Sequence, residues 1–284
     1  MAKIVVVGSL NMDAVAVAPR IPVAGETIIG SKFLTTPGGK GANQAYAAAK
    51  LGGSVAMLGR VGEDAFGQQM RENLASVGCT VESVRAVPGA SGVALIYVSE
   101  RGENSIVVVP GANHLLLPGD IAADGNVFDG CAVVLLQLET TLETVIAAAR
   151  FAKQRRALVV LDPAPAPSGG LPRELLELVD VLTPNETEAA MLEGSLDAAQ
   201  TIIFKLGERG CELRSDGKSI CIPAVAVNAV DTTAAGDVFN AALAVALSER
   251  AGLEDACRFG VKAAAVSVTR LGAQSSAPAR SEIS

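Results

Sequence analysis

Short runs that are apolar on both faces recur along this chain, and helical stretches separate them. Residues 4–7, 54–58, 132–137, 157–161, 179–182 and 201–206 are rich in Val, Ile and Leu without polar alternation. A strand buried on both faces reads this way, and it needs helices above and below it. Helical patterns fall at 41–51, 66–76, 141–153, 172–178, 186–192, 237–248 and 253–269. Strand alternating with helix predicts a doubly wound α/β fold, its mostly parallel sheet flanked by helices. With 284 residues, half of them hydrophobic, the chain can bury one large core and carry a small appendage.

Two stretches break this rhythm. Residues 13–33 alternate apolar and polar around Pro19 and Pro22, and residues 91–109 do so around Glu100-Arg101-Gly102-Glu103. Such alternation predicts antiparallel strands with one solvated face. The two segments are expected to form a small β-sheet lid over an α/β core of residues 1–12, 34–90 and 110–284. One crossover is tight, because residues 189–206 must hold the end of a helix, its return and a strand.

Charge and cysteine usage narrow the partners. Thirty acidic residues against twenty-three basic ones give a net charge of -7, which argues against a nucleic-acid or anionic-membrane footprint. A phosphate ligand stays open, since backbone N–H groups and one or two cations suffice for its site. Cys79, Cys131, Cys211, Cys221 and Cys257 form no C-x-x-C pair. Neither a zinc site nor a disulfide framework is expected, and a cytoplasmic setting is the simplest. No run approaches the ~18 apolar residues of a membrane helix. His114 is the only histidine and no G-x-S-x-G elbow occurs, so a hydrolase triad has no support.

The most specific stretch is Asp231-Thr232-Thr233-Ala234-Ala235-Gly236-Asp237, which leads into an apolar helix. Small residues before a helix allow a tight turn whose N–H groups, with the helix dipole, make an anion hole at Ala234, Ala235 and Gly236. Asp237 taken alone reads as a helix cap. Gly38-Gly39-Lys40-Gly41-Ala42-Asn43 is no P-loop, because Lys40 is followed by Gly41 rather than Ser or Thr. Asn11 and Asp13 follow the first strand and Glu139 follows another, where open α/β sheets form a ligand crevice. Asn185 and Glu188 share a face at a helix start, where a cap is the plain reading.

Together with Gly8-Ser9-Leu10-Asn11-Met12-Asp13, Pro184-Asn185-Glu186-Thr187-Glu188 and Leu206-Gly207-Glu208-Arg209-Gly210, these motifs stand in the order of a known family. Over roughly residues 3–276 the chain resembles the ribokinase-like (phosphofructokinase-B type) sugar and nucleoside kinases. Gly102-Glu103-Asn104, Gln137-Leu138-Glu139 and Pro163-Ala164-Pro165-Ala166 are similar to the ribokinase branch.

The resemblance implies ATP-dependent phosphorylation of a pentose, with D-ribose at O5 as the expected case. A nucleoside kinase, a 2-deoxyribose kinase and a non-catalytic sugar or nucleotide sensor are the alternatives. It implies Asp237 as catalytic base, a carboxylate of ordinary pKa being sufficient. Asn11, Asp13, Gly39, Lys40, Asn43 and Glu139 would join Asp237 around the sugar. Asn185, Lys205, Gly207, Gly210, Ala235 and Gly236 would contact ATP, and Asn185 with Glu188 would position Mg²⁺. K⁺ would lie among Asp231, Thr233, Ser267, Arg270, Gly272 and Ser276. A homodimer through the lid is implied as well. Val261 departs from the polar or aromatic-like residue that relatives often place against adenine, which leaves nucleotide preference open.

Overall fold

The apolar runs become strands in the computed structural model, which describes residues 2–283. In chain order the strands are β1 (Lys3–Val7), β2 (Asn11–Ala18), β3 (Lys32–Gly38), β4 (Ser54–Gly62), β5 (Thr80–Val87), β6 (Gly92–Ser99) and β7 (Asn104–Val109). They continue as β8 (Cys131–Leu136), β9 (Leu158–Leu161), β10 (Val181–Leu182), β11 (Thr201–Lys205), β12 (Cys211–Ser215) and β13 (Lys218–Ile222). The helices are α1 (Lys40–Lys50), α2 (Ala65–Ser76), α3 (Pro118–Ala123), α4 (Leu142–Gln154) and α5 (Arg173–Leu176). After them come α6 (Glu186–Met191), α7 (Glu193–Leu196), α8 (Ala235–Ser248) and α9 (Leu253–Ser267).

Among the described residues, nine strands form one sheet in the order β13-β12-β11-β10-β9-β8-β1-β4-β5. The seven from β11 to β5 pair in parallel, and the β12–β13 hairpin closes one edge antiparallel. Strand order reverses at β1, with β4 on one side and β8 on the other, so the crevice for a ligand opens beyond the C-terminal end of β1. Alternate side chains of β1 feed two cores: Ile4 and Val6 pack toward α1, α8 and α9, while Val5 and Val7 pack toward α4. Helix α8 is buried from Asp237 through Ser248. A helix apolar all round belongs inside the core.

The second sheet has the order β3-β2-β6-β7. Both flanking pairs are antiparallel, but the central β2–β6 pair is parallel, which corrects the all-antiparallel expectation. The reason lies in its construction from two hairpins that leave the core side by side in the same direction. β3 also continues to Gly38, so residues 34–38 belong to this sheet rather than to the core. Two polar anchors root the sheet. Asn113 bonds both backbone groups of Leu10 and the side chain of Asn11. Asp64 accepts from the N–H and hydroxyl of Ser91 while it caps α2.

The tight crossover between β10 and β11 is made by two short helices, α6 and α7, and by shortening β10 to two residues. Residues 172–178 yield a single helical turn, α5. All five cysteines are free thiols. Among the described residues no helix is long and apolar enough to cross a membrane.

Candidate active site

Asp237 lies in the first turn of α8, and its surroundings exclude a simple cap. The cap position is Ala234, in left-handed conformation with φ 57°. The Asp237 carboxylate turns inward instead and is only 5% exposed. Asn43 Nδ2 donates to Oδ2 at 3.0 Å and Gln44 Nε2 to Oδ1 at 3.1 Å. Burial raises its pKa to about 6 and the facing Asp162 adds to that, while the Lys40 ammonium and the two amides pull downward. An ordinary carboxylate would suffice here, and the upward shift comes from a depth of burial that the sequence does not show. The group is still mostly ionised near neutrality. In the same turn Ala235 N donates to Thr232 O at 3.2 Å, and the amides that follow lack intrahelical acceptors at the positive end of the dipole.

The polar crevice beside Asp237 is built on close backbone approach. Gly39 has φ 88°, and a Cβ there would lie 2.6 Å from Asn11 N. A Cβ on Gly41 would lie 2.6 Å from Ser9 N, so α1 rests directly on the chain leaving β1. Ala42 N donates to Ser9 O at 2.9 Å across that contact. Glu139, just past β8, gathers the segment: its Oε2 accepts from Ser9 Oγ at 2.5 Å, Lys40 N at 3.0 Å and Asn11 Nδ2 at 3.4 Å. Asp13 on β2 faces the same space. Burial, then Glu139 and Asp237, push its pKa up to about 7. Lys40 shows the opposite balance. Burial works against its charge, but Asp237, Asp162, Glu139 and Glu188 outweigh that and hold its proton more firmly than usual. Asn11, Asp13, Gly39, Lys40, Asn43, Glu139 and Asp237 thus converge on one crevice.

A cavity of about 760 Å³ opens on the other side of the α8 start. Lys205, Gly207, Gly210, Ala235 and Gly236 line it, and its deeper wall is apolar, with Phe239 and Val261 among the contributors. Asn185 does not line this cavity, although a backbone bridge joins it to Lys205. Asn185 and Glu188 form a reciprocal capping box on α6, the plain reading of that motif. Each Glu188 carboxylate oxygen accepts one bond there and keeps a lone pair.

The loops on either side of α8 and α9 are tied by Asp231, which accepts from Thr233 N at 2.9 Å and Gly272 N at 2.8 Å. Burial would raise this carboxyl, but those donors hold it below the ordinary value. Ser267 and Ser276 spend their hydroxyls on local carbonyls, and Arg270 pairs with Glu282. Among the described residues no cluster of three or more His, Cys, Asp or Glu could hold a metal by side chains alone.

Several groups of the site carried no role in the sequence reading. Gln44 stands inside the glycine-rich motif and Gln137 beside Glu139, yet neither had a visible partner. Asp162 follows β9 as Glu139 follows β8, so the rule of strand ends was the available signal. Gln274 donates to Asn43 Oδ1 at 3.2 Å from a loop 231 residues away.

The acceptor crevice and the glycine-walled cavity meet at the first turn of α8, as an enzyme that passes an anionic group between two small molecules requires. Residues 1–280 match the pfkB family carbohydrate kinase, and the chain belongs to that family. It is 41% identical to the ribokinase of Haemophilus influenzae, over 98% of this chain and 95% of that one. It is 39% identical to the deoxyribokinase of Salmonella typhi, over 97% and 95% of the two chains. The structure of Arabidopsis thaliana ribokinase complexed with ribose and ATP matches at a TM-score of 0.93 and 36% identity, over 99% of this chain and 97% of that one.

Proposed function

We propose that this chain transfers the γ-phosphoryl group of ATP to O5 of D-ribose, giving ribose 5-phosphate. The observation that carries this reading is the inward carboxylate of Asp237, set between a crevice of hydroxyl-binding groups and the cavity at the α8 start. Asp237 takes the O5 proton as O5 attacks the γ-phosphorus, the bond to the β–γ bridging oxygen breaks, and ADP leaves. Amides of the turn from Ala234 through Ala235 and Gly236 to Asp237 balance charge on the moving phosphoryl group. Asn11, Asp13, Gly39, Lys40, Asn43 and Glu139 orient the sugar, and Lys205, Gly207 and Gly210 approach the nucleotide.

Asn185 and Glu188 fit Mg²⁺ in a supporting role, since one amide and one carboxylate leave most positions to water and phosphate oxygens, which this ion accepts. When bound it neutralises charge on the phosphates. Asp231 joins the loops where backbone carbonyls of residues 233, 267, 270, 272 and 276 would hold K⁺ beside one carboxylate. The exposed apolar residues of β7 support a homodimer through the small sheet, and the free cysteines support a cytoplasmic setting.

The deoxyribokinase relative, nearly as similar as the ribokinase, favours one second reading, a 2-deoxyribose kinase. Turnover with ATP, with and without K⁺, over ribose, 2-deoxyribose, adenosine and inosine separates the readings. Ribose is expected to give the highest kcat/KM. The variant Asp237→Asn is expected to lose about 10³-fold or more in kcat while sugar and ATP still bind. Preferred turnover of 2-deoxyribose or a nucleoside overturns the substrate, and an active Asp237→Asn overturns the base.

A further inference from the structure

Asp237 is not the only buried carboxylate beneath the cleft. Asp162, which follows β9, is 2% exposed. One amide nitrogen joins the two: Gln44 Nε2 donates to Asp162 Oδ2 at 3.0 Å and to Asp237 Oδ1 at 3.1 Å. The carbonyl end of Gln44 is fixed in turn by Gln137 Nε2 at 2.6 Å. The other oxygen of Asp162 accepts from Lys205 Nζ at 2.8 Å. Lys205 lies on the wall of the large cavity, and a Cβ added to Gly236 would sit 3.4 Å from its Nζ. An unbroken path of bonds therefore runs from that cavity through Lys205, Asp162 and Gln44 to Asp237.

Packing alone does not account for this path. Gln137 satisfies only the carbonyl of Gln44, so the two amide hydrogens of Gln44 go to the two carboxylates, but a charge buried beside another charge is costly unless it is paired. The pairing is spent on a lysine that stands at the cavity, beside the helix start. Groups facing Asp237 come from each neighbouring element: Lys40, Asn43 and Gln44 from α1, Asp162 from the end of β9, and Asp13 from β2.

We propose that Gln44 and Asp162 are positioning residues that link the donor and acceptor halves of the site. Gln44 orients both carboxylates, and Asp162 tethers Lys205 against the nucleotide cavity while its charge faces Asp237. This rests on Asp237 being the base. The negative charge of Asp162 raises the Asp237 pKa and the Gln44 donor lowers it, so removing each moves the base in opposite directions.

The test is kcat and KM for both substrates from about pH 5 to about pH 9 in Asp162→Asn, Gln44→Met, Lys205→Met and the Asp162→Asn/Lys205→Met double variant. Asp162→Asn is expected to move the acid limb of kcat to lower pH, and Gln44→Met to move it to higher pH with kcat down about tenfold. ATP KM should rise about fivefold or more in Asp162→Asn and in Lys205→Met, and no further in the double variant, with sugar KM held within about twofold. Loss of stability alone would move no limb. Limbs that stay put or move together, or additive ATP effects, overturn the proposal while Asp237→Asn stays inactive. An active Asp237→Asn instead overturns the reading beneath it. If both buried variants fail to fold, an unchanged ATP KM in Lys205→Met overturns the tether, and a raised ATP KM with unchanged sugar KM supports it.

Discussion

Asp13 faces Glu139 and Asp237 from β2, and that crowding has a thermodynamic sign. Its pKa rises from 3.8 to about 7, through burial first and the two carboxylates second. Between those values the folded protein holds a proton that the unfolded chain has released. By linkage, the stability from this group is greatest at low pH and falls as pH rises through that window. Asp237, raised to about 6, acts with the same sign over a narrower range. The variant Asp13→Asn should therefore raise the thermal midpoint of the sugar-free protein more at pH 8 than at pH 5, read by calorimetry. The same variant should weaken sugar binding, because a carboxylate that accepts hydroxyl protons becomes an amide. Greater stabilisation at pH 5 would show that Asp13 is ionised without strain. None of this was visible in the residue alone, which reads in sequence as a polar position after a strand.

At the scale of elements, α1 and α8 decide the site by where they dock. Asn43 and Gln44 reach Asp237 because α1 rests on the backbone leaving β1, with Gly41 at the contact. The atoms that a Cβ on Gly41 would meet are backbone, so they cannot swing aside as a long side chain can. Gly41→Ala should displace α1 from β1 and cost about 10²-fold in kcat, since shifts near 1 Å in positioning groups have that effect. Steady-state kinetics beside a melting curve checks it, and wild-type kcat in a fully folded variant would count against the docking role. The apolar runs made most strands of the large sheet legible. β5 was not, because it is an edge strand in which only Ser83 and Val84 are buried. The β12–β13 hairpin escaped for the same reason, its outward residues being Glu212, Arg214 and Ser219.

At the scale of the whole molecule, the small sheet poses a solubility problem. Every residue of β7 is exposed, including Ile106, Val107, Val108 and Val109, and β7 is an edge strand. Phe33, Leu95 and Tyr97 add apolar exposed surface on the same sheet. An apolar open edge of this kind invites pairing, and a second copy of the chain is the occupant we propose. Val108→Lys should convert the dimer to monomer in sedimentation velocity, with the melting temperature of the core little changed. A wild-type chain that sediments as a monomer at micromolar concentration would exclude the dimer.

The sequence by itself determined the doubly wound α/β class and the order of the motifs that carry Asn11, Asp13, Asn43, Glu139 and Asp237. It could do so because local periodicity and short contiguous motifs record strand, helix and turn directly. The structure alone decided the parallel union of β2 with β6, the raised pKa values and the path from Lys205 to Asp237. The bonds in that path span 43, 118 and 193 residues. Burial and facing charge belong to the assembled fold, so no window of sequence contains them.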